Sequence, residues 1–158
     1  MARGKTTVAT YLEPMLMERD IAIVDGDTLR KGLCSDLGFS MEDRRENIRR
    51  AAEVCSILQS MGKIVIACFI TPTEELRSLA KEIIGPEYKE VYVKCPLEVC
   101  QERDPKGLYE QSMLGLLKGM TGIDSPFEEP QTPDIIIDTS EMSITACCRA
   151  ILKQGLSL

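Results

Sequence analysis

The chain has no histidine and no tryptophan, and it has only three phenylalanines among 158 residues. Without histidine, mixed Cys/His zinc sites and any Ser-His or Cys-His catalytic pair are excluded. No apolar run approaches the length of a membrane span and no signal peptide precedes the first loop, so no membrane association is expected. Seven cysteines, at 34, 55, 68, 95, 100, 147 and 148, form no C-x-x-C pair. They read as reduced, mostly buried thiols of a cytoplasm-like compartment. An excess of positive charge is missing as well: the net charge of −6 argues against nucleic-acid binding. What is present, 44% hydrophobic and 28% charged residues, suits one globular domain over 1–158.

The chain opens on Arg3-Gly4-Lys5-Thr6-Thr7. Gly-Lys-Thr is the closing half of the P-loop pattern G-x-x-x-x-G-K-[ST]. There, backbone N–H groups ring a phosphate, the Lys reaches the β- and γ-phosphates, and the hydroxyl holds Mg²⁺. The opening Gly would fall upstream of Met1, and the apolar strand that feeds such a loop would lie upstream of it. That strand is central in a P-loop fold, so a sheet without it is expected to be disrupted.

Downstream, apolar periodicity predicts a helix over 5–18, with Pro14 placed to kink or shorten it. Ile21 to Val24 reads as a buried strand ending in Asp25-Gly26-Asp27, followed by a short helix around 28–33. Ser40 and Asp43 make a capping box for a helix over 41–60, which Gly62 closes. A strand over 64–70 leads to a helix over 74–84, capped by Thr73 and ended by Gly85-Pro86. A strand over 91–95 is followed by a helix from Pro96 to about Arg103. Residues 104–133 hold four prolines and four glycines and read as a lid. Ile135–Ile137 is the last strand, before a closing helix through Ile144, Cys147, Cys148 and Ile151. Strands alternating with helices predict an α/β, three-layer fold with a parallel sheet, four strands visible and five when complete.

Two features carry chemistry. Asp25-Gly26-Asp27 puts two carboxylates at the C-terminal edge of a strand, where open α/β folds bind ligands. Phosphoryl transfer needs a metal across the phosphates and a group to orient or deprotonate the attacking hydroxyl, and one carboxylate can serve either role. The stretch 30–50 gathers Arg30, Lys31, Arg44, Arg45, Arg49 and Arg50 in an acidic protein. It reads either as a pocket for an anionic small molecule or as a solvated helix face laced by Glu46–Arg50 at i,i+4.

The strings Asp25-Gly-Asp-Thr-Leu-Arg30, Asp36-Leu-Gly-Phe-Ser40 and Glu46-Asn-Ile-Arg-Arg50 are similar to the adenylylsulfate kinase family. So are Arg103-Asp-Pro-Lys-Gly-Leu-Tyr109, Thr121-Gly-Ile-Asp124 and Pro126-Phe-Glu128, in order along essentially the whole chain. The resemblance implies ATP-dependent phosphorylation of the 3′-hydroxyl of adenylylsulfate. By it, Arg3, Gly4, Lys5, Thr6 and Thr7 hold the ATP phosphates, and Thr6 and Asp25 hold Mg²⁺. Asp25 is the metal-linked acid or base, acting with Lys5, and Arg103 lies near the ATP base. Asp27, Arg30, Arg44 and Asn47 bind the acceptor, and Phe39 stacks on its adenine. Ile70 and Thr71 line that pocket, with Lys106, Gly119 and Met120 coming from the lid. A phosphosulfate independently asks for arginine forks, and its base for an aromatic face.

The family has serine where this chain has Arg3, and phenylalanine where it has Met120. The resemblance also implies a homodimer, fusion to or association with sulfate adenylyltransferase, and a cytoplasmic or plastid location. Two other readings stay open here. One is a related kinase acting on another nucleotide-linked acceptor. The other is a catalytically silent nucleotide-binding module of a larger chain, suggested by the half loop.

Overall fold

A computed structural model describes residues 4–17, 19–104, 107, 111, 114, 121 and 125–155. Along the chain these form α1 (Lys5–Leu12), a 3₁₀ turn (Glu13–Leu16), β1 (Ile21–Asp25), α2 (Gly26–Lys31) and α3 (Met41–Ser60). Then follow β2 (Ile64–Cys68), α4 (Glu74–Ile84), β3 (Val91–Lys94), α5 (Leu97–Arg103), β4 (Ile135–Asp138) and α6 (Ile144–Gly155). Contacts divide the chain into two compact units, one of residues 1–11 with 89–158 and the other of residues 12–88.

In the unit of residues 12–88, β1 and β2 run parallel, pairing Ile21 with Ile64 through to Asp25 with Cys68. α3 connects them and packs on β2 and α4. Ile48 and Ala52 of α3 meet Leu76 and Ala80 of α4, with Phe69, Ile83, Ile84 and Tyr88 around them. The expected caps are in place: Ser40 Oγ accepts the Asp43 N–H at 3.0 Å, and Thr73 Oγ1 accepts that of Leu76 at 3.4 Å. The expected helix around 28–33 starts earlier, at Gly26, because the Asp25 carboxylate caps it. A side chain on Gly26 would press to 3.1 Å on Phe69, so this turn takes glycine for lack of room.

In the other unit β3 and β4 run parallel, Val91 opposite Ile135 and Lys94 opposite Asp138. The expected strands are therefore all present and parallel, but they pair two by two instead of in one four-stranded ladder. α6 packs on β4, where Ile135 and Ile137 are fully buried and Ile136 is exposed, so this strand is covered on one face. Burying each such isoleucine is worth about 1.5–3 kcal/mol. Cys148 Sγ donates to the Val8 carbonyl of α1 at 3.7 Å, linking the first helix to the last. α1 stops at Leu12, and Pro14 falls in the 3₁₀ turn, where its missing N–H ends the α-helical ladder as anticipated. Phe127 stacks on Tyr92 with ring centroids 6.3 Å apart, which ties the end of the expected lid to β3. Most of residues 105–124 lie outside the described residues.

All seven cysteines are free and buried. Burial pushes the Cys55 thiol up to about 11 and raises Cys147 and Cys148 as well. Because the thiolate is the reactive species, iodoacetamide at pH 8 is expected to label the native protein very slowly and all seven thiols once it is unfolded. Mass spectrometry checks this, and fast native labelling of Cys55 would contradict it.

Candidate active site

In the unit of residues 12–88, site residues converge at the C-terminal ends of β1 and β2. Asp25 ends β1, and its Oδ1 accepts the N–H of Asp27 at 2.9 Å and of Thr28 at 3.3 Å, so this carboxylate is fixed by the helix it caps. Asp27 stands exposed in the first turn of α2. Since Asp25 pairs with Cys68, the chain leaving β2 carries Phe69, Ile70 and Thr71 past the same edge.

Arg30, Phe39 and Arg44 come together beyond α2. The Arg30 guanidinium sits 4.4 Å from the centroid of the Phe39 ring and donates to the Leu37 and Gly38 carbonyls at 3.2 and 2.9 Å. Arg44, itself buried, donates from Nε to the Phe39 carbonyl at 2.9 Å, and its guanidinium is 5.9 Å from the ring. Phe39 is nevertheless 58% exposed. The exposed ring thus has two guanidiniums within cation–π reach of it. Asn47, one turn beyond Arg44, is buried, and its Oδ1 has no hydrogen-bond partner.

Within the rest of the basic stretch, Arg45 pairs with Glu75, Arg49 with Glu46 and Glu53, and Arg50 with Glu46 and Asp36. These three arginines form the laced helix face, while Arg30 and Arg44 lie at the Phe39 ring. Hydrogen bonds from Arg49 and Arg50 hold the Glu46 carboxyl down at about 2, well below its ordinary 4.5. A depressed carboxyl stabilises the fold above its unfolded value and loses that contribution as pH falls. Stability is thus expected to drop between pH 4.5 and about 2, and Glu46→Gln should flatten that part of a thermal-melting profile. An unchanged slope in the variant would dismiss the network.

In the other unit, Gly4 takes φ +85°, a left-handed conformation suited to glycine, and its carbonyl accepts the Val8 N–H at 2.9 Å. α1 begins at Lys5, so its N-terminus, the positive end of the helix dipole, stands at the loop. Lys5 is half-buried, while Thr6 and Thr7 are exposed. Arg103 donates to Thr139 Oγ1 at 3.3 Å and to the Thr139 carbonyl at 2.8 Å, with Cys95 Sγ at 3.8 Å. The Thr139 methyl would lie 3.8 Å from a Cβ on Gly4. Thr139 thus lies near Gly4 and is bonded by Arg103. Sequence reading missed it, since a threonine after a strand carries no motif. Arg3, Lys106, Gly119 and Met120 lie outside the described residues.

Among the described residues no cluster of three or more His, Cys, Asp or Glu side chains is placed to hold a metal. The expected donors are instead one hydroxyl, Thr6, and one carboxylate, Asp25. Each is a hard oxygen of the kind Mg²⁺ takes together with nucleotide phosphates, so the donor chemistry fits. Among the described residues no helix is long and apolar enough to cross a membrane.

Parallel strands with intervening helices, a helix opening on Gly-Lys-Thr and a strand-end carboxylate define a P-loop kinase. The solved APS kinase of Mycobacterium tuberculosis, in complex with AMPPNP and APS, superposes with a TM-score of 0.92 at 38% identity, covering 97% of this chain and 91% of that one. The adenylylsulphate kinase family model matches residues 1–138. The adenylyl-sulfate kinase of Clostridium kluyveri is 46% identical over 151 residues, 94% of this chain and 76% of the relative. The probable adenylyl-sulfate kinase of Bacillus subtilis is 44% identical over 160 residues, 98% and 81% respectively. The chain belongs to the adenylylsulphate kinase family.

Proposed function

We propose that the chain transfers the γ-phosphoryl group of ATP to the 3′-hydroxyl of adenylylsulfate, with the residue roles that follow. The observation that carries this reading is the exposed Phe39 ring with the Arg30 and Arg44 guanidiniums 4.4 and 5.9 Å from its centroid. Adenine stacks on Phe39, the two arginines neutralise the phosphosulfate, and Asn47 Oδ1 accepts a hydrogen bond from the nucleotide. Ile70 and Thr71 close the pocket beside Asp27. Lys5 and the first-turn N–H groups of α1 hold the ATP phosphates, and Arg103 borders its base. Thr6 and Asp25 would hold Mg²⁺, which when bound neutralises the charge of the β- and γ-phosphates. Asp25 orients the 3′-hydroxyl and takes its proton as the oxygen–phosphorus bond forms and the bond to ADP breaks.

The two compact units are read as parts of one kinase domain. Self-association and occurrence within a larger polypeptide are also proposed. In their support, a hexameric APS kinase from Thiobacillus denitrificans, 28% identical with a TM-score of 0.67, is matched over 96% of this chain but only 26% of that one. The seven free thiols support a reducing, cytoplasm-like setting.

A coupled assay with ATP, Mg²⁺ and a panel of nucleotide acceptors tests the assignment. Adenylylsulfate should give by far the highest kcat/KM, and preference for an acceptor lacking the sulfate would overturn it.

A further inference from the structure

Thr71 adopts φ +35°, and among the described residues no other non-glycine residue has a positive φ. It is β-branched and precedes Pro72, two reasons for its backbone to avoid that region. A conformation of this kind persists only where its surroundings over-determine it. The restraint is Arg77, 3% exposed, on the first turns of α4. Its Nη1 donates to the Thr71 carbonyl at 3.1 Å. Its Nε and Nη2 both donate to Glu74 Oε2, at 3.2 and 2.8 Å, which fixes the plane of the guanidinium. The Arg77 N–H bonds the Thr73 carbonyl at 3.2 Å, and Thr73 Oγ1 caps α4, so the whole turn from Thr71 is held from one helix end.

We infer that Arg77 is a positioning residue for the acceptor side of the reaction. It holds Thr71 in its strained conformation, so that Ile70 and Thr71 present the pocket edge next to Asp25 in fixed form. The guanidinium is buried on the helix side and touches the substrate nowhere in this account. It acts through the Thr71 carbonyl. A planar fork can grip the carbonyl and Glu74 together, and a lysine ammonium cannot reproduce that geometry. The inference rests on the proposed acceptor site, because it assigns the strain to that site's precision.

The test has two readouts, one of which needs no substrate. Amide hydrogen exchange at Ile70, Thr71 and Thr73 should speed up about ten-fold or more in Arg77→Met and partly in Glu74→Gln, a surface change that leaves the fold intact. In kinetics, Arg77→Met should raise KM for adenylylsulfate about ten- to a hundred-fold with KM for ATP nearly unchanged, as expected for a slightly misplaced pocket wall. Arg77→Lys should recover little. Thr71→Gly in the Arg77→Met background should recover most of the loss, since glycine takes positive φ without a clamp.

A merely structural role would lower thermal stability and disturb both KM values together, and Thr71→Gly would rescue neither; that outcome overturns the inference. Unchanged exchange at 70–73 in both variants overturns it whatever the acceptor proves to be. Faster exchange with an unchanged acceptor KM overturns the link to catalysis. If the wild-type chain prefers another acceptor, the proposed function fails, and the exchange result and the same KM pattern on that acceptor still decide the role of Arg77.

Discussion

Asp25→Asn is expected to lower kcat by about 10³-fold while KM for adenylylsulfate stays within a few-fold. The choice of asparagine matters because Asp25 has two tasks. Its Oδ1 caps α2 through the Asp27 and Thr28 amides. Asparagine caps a helix about as well as aspartate, whereas alanine loses about 1 kcal/mol there. The variant therefore keeps α2, and with it Arg30, while removing the negative charge that orients and deprotonates the acceptor hydroxyl. A 10³-fold loss is about 4 kcal/mol of transition-state stabilisation, within reach of one catalytic carboxylate and beyond what a weakened cap explains. The decisive comparison is kcat beside the thermal midpoint. Near wild-type kcat with a normal midpoint would remove Asp25 from the chemistry, and a large fall in midpoint would make its role structural.

Phe39→Ala is expected to raise KM for adenylylsulfate about 10- to 100-fold, leaving KM for ATP and the melting temperature nearly unchanged. The ring is more than half exposed, so little core packing is lost. What disappears is a stacking face worth about 1–3 kcal/mol per base, together with a partner for the Arg30 guanidinium at 4.4 Å. Arg44→Lys should act on the same constant for a different reason: an ammonium cannot hold the Phe39 carbonyl and a sulfate or phosphate oxygen in one plane. Because both changes touch one platform, their effects should fall short of adding in the double variant. Full additivity would mean that Arg44 and Phe39 serve separate ligands.

Much of the fold was legible from periodicity and punctuation. The helix over 41–60 and its Ser40 cap, the helix over 74–84, and the effect of Pro14 all follow from short-range rules that act within a turn or two. The start of α2 was misjudged by two residues, because a carboxylate awaited as catalytic also serves as the cap. Pairing was less legible: each strand is apolar enough to sit beside any other, and alternation alone does not choose partners.

The site shows the same division. Asp25, Arg30, Phe39 and Arg44 were found through motifs, and Arg30, Phe39 and Arg44 do meet around one ring. The separation of the basic stretch into arginines at the Phe39 ring and arginines in ion pairs was not legible. It depends on Asp36 and Glu75 meeting α3 from elsewhere in the chain. The contacts of Thr139 and Arg77 were not legible because each is made through a backbone carbonyl, which leaves no signature in residue type.

The division of the chain also has a consequence for its birth. Residues 12–88 form a contiguous unit that contains the Phe39 ring with Arg30 and Arg44, so a nascent chain can assemble it while later codons are still being read. The first helix cannot complete its burial then, because Cys148 of the last helix reaches the Val8 carbonyl across 140 positions of sequence. Closing so long a loop is entropically slow, and it waits until α6 has left the ribosome. The loop with Gly4 and Lys5 is thus synthesised before residues 12–88 and secured after them. A ribosome-bound intermediate would own the Phe39 ring and its two guanidiniums before Gly4 and Lys5 were anchored.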